Sequence, residues 1–465
     1  MANHATSQGQ TTSHQADRAN NKPTCSSSNN ARPSARFCHL PTDILYRIAS
    51  KLPPKGFART SILSTQWCLQ SAACPRLTFD IVAMCKCDKE DLLDGHIWQF
   101  ASEVNGVLRK HHGKVVETLE LRIIFVHSIL ARYIDAWVAF AAAARTKSLT
   151  LDLKPERFLE YKDLYQFPFH LLDQGSMSRL QHMQLSFVSL NPPSCFKGFP
   201  NLRKLRLQAL HDVNRKDLEN MLSHCPTLEW LYIDRCHLDD ALMVDTPLSH
   251  LLYLRVDCSK LTKIKFNAVN LAIFEYYGKF IPIDLVHSFK LKSANIDLDD
   301  EVFPHMLESL LSDLPGLQNL TFKTSSPYLE KPWSWDNRLK FSNLRHLQLS
   351  MFIWPEDVDK VHFCGSGLWL AESSPCRKDI GHCKYNYLKD IWITGFKAAR
   401  GQLEFLMLLV ENAPALEALL VEIGEYPPSP GLNGDNGARI EKAKKMTRSC
   451  LSTLLPQNVR FDVKE

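Results

Sequence analysis

Four side chains able to ligate a metal stand within twenty residues of one another: Cys364, Cys376, His382 and Cys383. Thiolates and imidazoles suit zinc, and structural zinc sites take them in tight pairs such as Cys-x-x-Cys, so that one short loop aims two ligands at one ion. Here the successive spacings are 12, 6 and 1, and an adjacent His-Cys is poor geometry for one tetrahedral ion. Cys85-Lys86-Cys87 is a weaker pattern still. Catalytic signatures fare no better. The chain has no Gly-x-Ser-x-Gly elbow, no phosphate-cradling glycine loop and no His-Glu-x-x-His helix. Its 18 His and 14 Cys offer chance pairs, but a working pair needs a shared cleft. We therefore assign no catalytic residue, no metal and no cofactor. A metal-dependent enzyme built on residues 364–383 is the reading that zinc analysis of the purified protein would decide.

Charge narrows the partners. A net charge of +5 over 465 residues leaves no broad electrostatic footprint for nucleic acid. Lys442, Lys444, Lys445 and Arg448 recur at helical spacing with Ile440, Met446 and Leu451, which reads as the solvated face of an amphipathic helix. The longest apolar runs, 136–144 and 405–410, are too short to span a bilayer. Residues 1–36 are rich in Asn, Ser, Thr, Gln and His, lack a secretory apolar core and are expected to be disordered. An intracellular protein of nucleus or cytoplasm follows as the expectation, with the cysteines buried as small hydrophobes. Asn319-Leu320-Thr321 matches a glycosylation acceptor but falls inside a predicted strand of a chain read as unexported.

What remains is recognition, and the elements that would position it repeat. A Leu-x-x-Leu-x-Leu unit, tolerant of other apolar residues, begins at Val116, Leu180, Leu202, Leu228, Leu251, Leu271, Leu317, Leu344, Leu388 and Leu416. From Leu180 the copies are 20 to 28 residues apart, except for two gaps of 46 and 44; residues 291–298 fill the first as a degenerate copy, and the irregular stretch 354–384 lies in the second. That period belongs to leucine-rich repeats. Alternate residues of each short strand stack on the next unit while the first Leu closes the turn. Prolines such as Pro200, Pro226, Pro315 and Pro414 end the preceding segment and start the run into the strand. Between the inward leucines the intervening side chains face out, among them Arg206, Gln208, Tyr232, Asp234, Arg255, Asp257, Thr321, Lys323, Gln348 and Trp392. Their mixed charged and aromatic character suits a protein-binding face, with Arg206, Tyr232, Arg255, Gln348 and Trp392 the expected target contacts. Helices are predicted over 88–111, 129–145, 218–223 and 438–455, and a strand over 459–463.

Ahead of the repeats, residues 40–79 read as three short helices. Pro41 suits a first helical position, and Ile44, Leu45, Ile48 and Leu52 share one face. Pro53-Pro54 stops that helix; Phe57, Ile62 and Leu63 belong to the second, and Ser64 caps a third that carries Trp67. So small a unit has an apolar face left over for a partner. These residues, with Arg59-Thr60-Ser61, resemble the F-box of plant proteins. Two positions depart from its pattern: Thr65-Gln66 replace a basic pair, and Gly56 replaces an acidic residue. Residues 387–396 and 402–421 are similar to the FBD region that ends many plant F-box and leucine-rich-repeat proteins.

The expected architecture is α/β: a three-helix F-box (37–80), a leucine-rich-repeat solenoid or horseshoe (81–384) and an FBD-like cap (385–465). The resemblance implies a substrate receptor of an SCF-type (Skp–cullin–F-box) ubiquitin ligase. Leu40, Pro41, Ile44, Leu45, Ile48, Leu52, Leu63 and Trp67 would then meet or support contact with the Skp adaptor, and through it cullin, while the repeats hold a target protein. An interaction scaffold with a degenerate F-box, to which Gly56, Thr65 and Gln66 point, is the alternative. Neither nucleic acid nor membrane is an expected partner.

Overall fold

The computed structural model describes residue 44 and residues 75–85, 94–111, 116–125, 130–155, 164–193, 196, 198–210, 213–238, 240–258, 260–298, 316–325, 343–352, 384–398, 400–424 and 436–464. In chain order its strands are β1 (Arg76–Asp80), β2 (Thr118–Phe125), β3 (Ser148–Pro155), β4 (Tyr165–Gln166), β5 (His182–Ser186), β6 (Val188–Ser189), β7 (Lys204–Gln208), β8 (Trp230–Asp234), β9 (Leu242–Val244) and β10 (Tyr253–Asp257). They continue as β11 (Ile264–Asn267), β12 (Ile273–Gly278), β13 (Ile283–Val286), β14 (Ser293–Leu298), β15 (Asn319–Ser325), β16 (His346–Phe352), β17 (Asp390–Phe396), β18 (Ala418–Ile423) and β19 (Arg460–Lys464). Fourteen of these make one sheet in the order β1-β2-β3-β5-β7-β8-β10-β12-β14-β15-β16-β17-β18-β19, every neighbour parallel. An α/β leucine-rich-repeat solenoid is therefore the fold, one repeat per strand.

The physics of the repeat is visible in its hydrogen bonds. Its first leucine donates its N–H three residues back and closes the turn, as in Leu202 to Phe199 (3.2 Å), Leu251 to Leu248 (3.0 Å) and Leu416 to Ala413 (3.1 Å). The next two N–H groups then converge on one carbonyl of the preceding repeat. Glu229 and Trp230 both donate to Arg203 O (2.8 and 2.9 Å), and Leu252 and Tyr253 to Glu229 O (2.9 and 3.1 Å). Each strand is thereby locked in register before its ladder begins. Two alternating side chains per strand point into the core: Leu205 and Leu207 in β7, Leu231 and Ile233 in β8, Leu254 and Val256 in β10, all buried. Each contributes about 1.5–3 kcal/mol of burial.

The second layer differs along the chain. Helices α1 (Ile81–Cys85), α2 (Asp94–Lys110), α3 (Ala131–Ala143), α4 (Gln174–Arg179) and α5 (Arg215–Ser223) accompany the early strands, and α6 (Arg400–Glu411) and α7 (Asn436–Ser452) the last ones. Asn214 caps α5 by accepting from Lys216 N (2.9 Å), and Leu218, Met221 and Leu222 turn inward. Between β8 and β14 the place of a helix is taken by a small parallel sheet, β9-β11-β13. A run of edge-to-face rings, Phe167, Phe169, Phe196 and Phe199, with centroids 4.9 to 5.1 Å apart, fills the core of the repeats before α5. On α7, Ala443, Thr447 and Leu451 are buried while Lys442, Lys445 and Arg448 are exposed, as the helical spacing predicts.

Several elements differ from the sequence expectations. The first strand of the sheet is β1, at the end of the stretch assigned to the F-box-like unit, with Leu77 and Phe79 buried against β2. β3 supplies a repeat strand, Leu149 and Leu151, that follows the Ala-rich helix directly. Of residues 40–74 only Ile44 is described; it is helical and half-buried. Leu40, Pro41, Leu45, Ile48, Leu52, Leu63 and Trp67 lie outside the described residues, as do residues 1–36, Cys364, Cys376, His382 and Cys383.

Candidate protein-binding face

Because the strands are parallel and in register, equivalent outward positions line up as rows across the open face of the sheet, about 4.8 Å from strand to strand. Over β7, β8, β10 and β12 the first row reads Lys204, Trp230, Tyr253, Ile273. The second reads Arg206, Tyr232, Arg255, Glu275, and the third Gln208, Asp234, Asp257, Tyr277. Period-2 alternation puts every one of these side chains opposite the buried leucines.

The rows interlock through rings and cations. Trp230 and Tyr253 stack with centroids 4.4 Å apart and planes 22° from parallel, and Lys204 Nζ lies 5.1 Å from the Trp230 ring. The Arg206 guanidinium covers Tyr232 at 4.5 Å. Arg255 sits between two rings, 4.9 Å from Tyr232 and 4.1 Å from Tyr277, and its Nη1 reaches Glu275 Oε2 at 3.2 Å. Asn295 Nδ2 donates to the Tyr277 hydroxyl at 2.9 Å. Each cation–ring contact is worth about 0.5–1 kcal/mol at such exposure. Their larger effect is to hold flexible side chains in one shape. Trp230 nevertheless stays 42% exposed and Ile273 37%.

Electrostatically the face is graded along the strands. Lys204 and Arg206 make its early part positive beside β5. Its far end is acidic: Asp234 is buried, and Asp257 is pushed up to about 6, first by burial and then by Asp234 beside it. Burial likewise raises Asp152 in the same row of β3. Burial, then the charges of Lys204 and Arg203, hold the His182 imidazole below its usual range. Tyr253 is pushed up to about 12 by burial and by the Glu275 carboxylate.

All five expected target contacts share the second row. Arg206, Tyr232 and Arg255 are consecutive in it, and Gln348 and Trp392 are neighbours farther along, beyond Glu275, Asn295 and Thr321. Four strand spacings, roughly 19 Å, separate the two groups. Lys204, Trp230, Tyr253 and Ile273 are not among the expected outward residues, which lie between and just after the two leucines of each strand. The residue just before the first strand leucine faces the same way, and the alternation rule was the signal.

Among the described residues no other feature competes as a site. A cavity of about 550 Å³ beside α3 is lined by Asp135, Tyr165, Phe167, Phe169 and His170, but Tyr165 donates its hydroxyl to Asp135 Oδ1 at 2.7 Å and the two polar groups satisfy each other. Among the described residues no group of three His, Cys, Asp or Glu stands together to hold a metal ion. No helix among them is long and apolar enough to cross a membrane.

Sequence comparison with known proteins agrees with the repeat geometry. The family described as "At1g61320/AtMIF1, LRR domain" matches residues 107–364. The F-box/FBD/LRR-repeat protein At1g13570 of Arabidopsis thaliana is 26% identical over 415 residues, covering 82% of this chain and 89% of its own. Another from the same plant, At5g56420, is 24% identical over 330 residues, or 68% of this chain and 70% of its own. Among solved structures the Leptospira interrogans LRR protein LIC12759 aligns with 74% of this chain and 90% of its own, at 16% identity and a TM-score of 0.23.

Proposed function

The chain belongs to the plant F-box, FBD and leucine-rich-repeat family, and from that premise we propose that it is the substrate receptor of an SCF-type ubiquitin ligase. The observation that carries the receptor role is the ordered, solvent-open cluster of Trp230, Tyr232, Tyr253 and Arg255 on the sheet's face. Aromatic and arginine side chains of this kind dominate protein–protein binding energies, and prior ordering lowers the entropy lost on docking. The F-box-like segment, with Leu40, Pro41, Ile44, Leu45, Ile48, Leu52, Leu63 and Trp67, binds the Skp adaptor and through it cullin.

The chain does no covalent chemistry in this role. Its work is proximity: one protein that binds both adaptor and target raises the effective concentration of target lysines near the ubiquitin-charged enzyme. Co-expression with a plant Skp-type adaptor, followed by pull-down, tests the assignment. Wild type is expected to retain the adaptor and an Ile44→Asp, Leu45→Asp variant to lose it. Equal recovery from both, or none from wild type, overturns the ligase role.

A further inference from the structure

Two cations on the open face have no acidic side chain in contact among the described residues, although the charge of Arg206 reaches Asp152 two strands away on β3. Lys204 and Arg206 lie two residues apart on the same side of β7, about 6.6 Å along the strand. Each rests on a ring, of Trp230 and Tyr232 respectively, and neither makes an ion pair among the described residues. Other cations nearby do. Arg203 reaches Glu229 at 3.4 Å, Arg215 reaches Asp240 at 2.5 Å, and Arg255 reaches Glu275 at 3.2 Å. Across the ladder on β5 the two cations face His182 and Gln184, and on β8 they face Trp230 and Tyr232, none of them an acid. Next to them runs the exposed apolar first row, with Trp230 at 42%, Ile273 at 37% and neighbouring Leu252 at 44% exposure.

We propose that this corner docks an acidic segment of the target, in which an Asp or Glu side chain stands beside a bulky apolar one. The proposal rests on the receptor role and names its substrate class. The carboxylate fits between Lys204 and Arg206, where the planar guanidinium offers two donors and the ammonium a point charge. The apolar side chain covers the Trp230–Tyr253 stack and reaches Ile273. The ring contacts hold both cations in place beforehand, so little is lost in ordering them. The acidic third row, Asp234 and Asp257, repels the same segment from the far ends of the strands. That repulsion confines it to the first two rows, while Lys204 and Arg206 themselves repel basic competitors.

A random dodecapeptide library displayed on phage, panned against the full chain purified with its adaptor, tests the inference. Selected peptides are expected to be enriched in Asp or Glu adjacent to Leu, Phe or Trp. Their binding should weaken with added salt and fall about tenfold or more in a Lys204→Glu, Arg206→Glu variant. Trp230→Ala should weaken the same peptides while leaving their preference for acid over base intact. Enrichment of basic or uncharged sequences overturns the inference, as does undiminished binding of acidic peptides to the charge-reversed variant, or failure to select any. Adaptor recovery from the same preparations separates the two claims. With the adaptor present, a negative peptide result removes only the acidic segment; with the adaptor absent, the receptor role falls first.

Discussion

Replacing Asp257 by Asn should stabilise the protein at neutral pH and do almost nothing in mild acid. Asp257 shares the third row with Asp234, and burial together with that neighbour lifts its carboxyl from an ordinary 3.8 to about 6. Arg255 and Arg235 pull the other way and lose. A carboxyl whose folded pKa lies above its unfolded one binds its proton more tightly in the folded chain, so stability falls as pH rises from about 4 through 6. Above pH 6 the penalty is present in full. Two units correspond to about 3 kcal/mol at roughly 1.36 kcal/mol each. Because the side chain is only half-buried, solvent screening reduces this to about 1 kcal/mol. Asn keeps the size and the hydrogen-bonding of the protonated acid, so the variant should gain about 1 kcal/mol at pH 7.5 and close to zero at pH 4.5. Urea unfolding of both proteins at both pH values measures this, since the difference at each pH cancels every other titrating group. In an Asp234→Asn background the gain should shrink, as it must for two groups in one cluster. A loss of stability at pH 7.5, or an equal gain at both pH values, would refute the reasoning.

Gly198 has a φ of +66°, and a Cβ built on it would land on the Cβ and carbonyl of His224; Gly198→Ala should therefore cost about 2 kcal/mol or more, read as a lowered urea midpoint. Trp137 Nε1 donates to Asn105 Oδ1 at 2.8 Å between α3 and α2, so Trp137→Phe, which keeps one aromatic ring but loses the pyrrole ring and its donor, should cost about 1–3 kcal/mol or more in the same assay. Burial pushes the Cys225 thiol up to about 11 and Cys236 up to about 12, and raises Cys258 well above the usual thiol range. Peptide mapping after iodoacetamide at pH 8 should find these three unlabelled in the folded protein and labelled in urea; prompt labelling without denaturant would show that the repeats open there.

Much of the fold is legible in the leucines because one repeat is nearly a complete physical unit. Leu202, Leu205 and Leu207 are all buried, and the same three positions are buried in the units that begin at Leu228 and Leu251. Their turn, strand and alternation follow from residues within about six positions. The second layer is legible where its helices are amphipathic, as in α2, α3 and α7, and elsewhere only by counting. The 26 residues from Leu202 to Leu228 leave room for the nine-residue helix α5, whereas the 20 from Leu251 to Leu271 hold only the four-residue strand β11 between two turns. A pattern of leucines does not display that difference, because the strand motif is the same in both. β1 and β3 escape the leucine pattern for a related reason. Leu77 and Phe79 close a segment whose helices dominate its pattern, and Leu149 and Leu151 follow the Ala-rich α3 at once.

The binding face is harder to read because it belongs to no single repeat. Period-2 alternation gives each outward residue its side but not its company. Asp234 faces out by that rule and is nonetheless buried, because the row places it between Gln208 and Asp257. Arg206, Tyr232 and Arg255 are 26 and 23 residues apart in sequence and become a stack of charge and ring only when three strands share one register. That register is set below the face, by paired N–H groups such as those of Leu252 and Tyr253 on the Glu229 carbonyl. A slip of one residue in β10 would bury Arg255 and expose Val256, exchanging the guanidinium between Tyr232 and Tyr277 for an aliphatic stub. The forked hydrogen bond at the entrance of β7, β8, β10 and β12 thus decides which side chains a docking partner meets, although no atom of it need touch that partner.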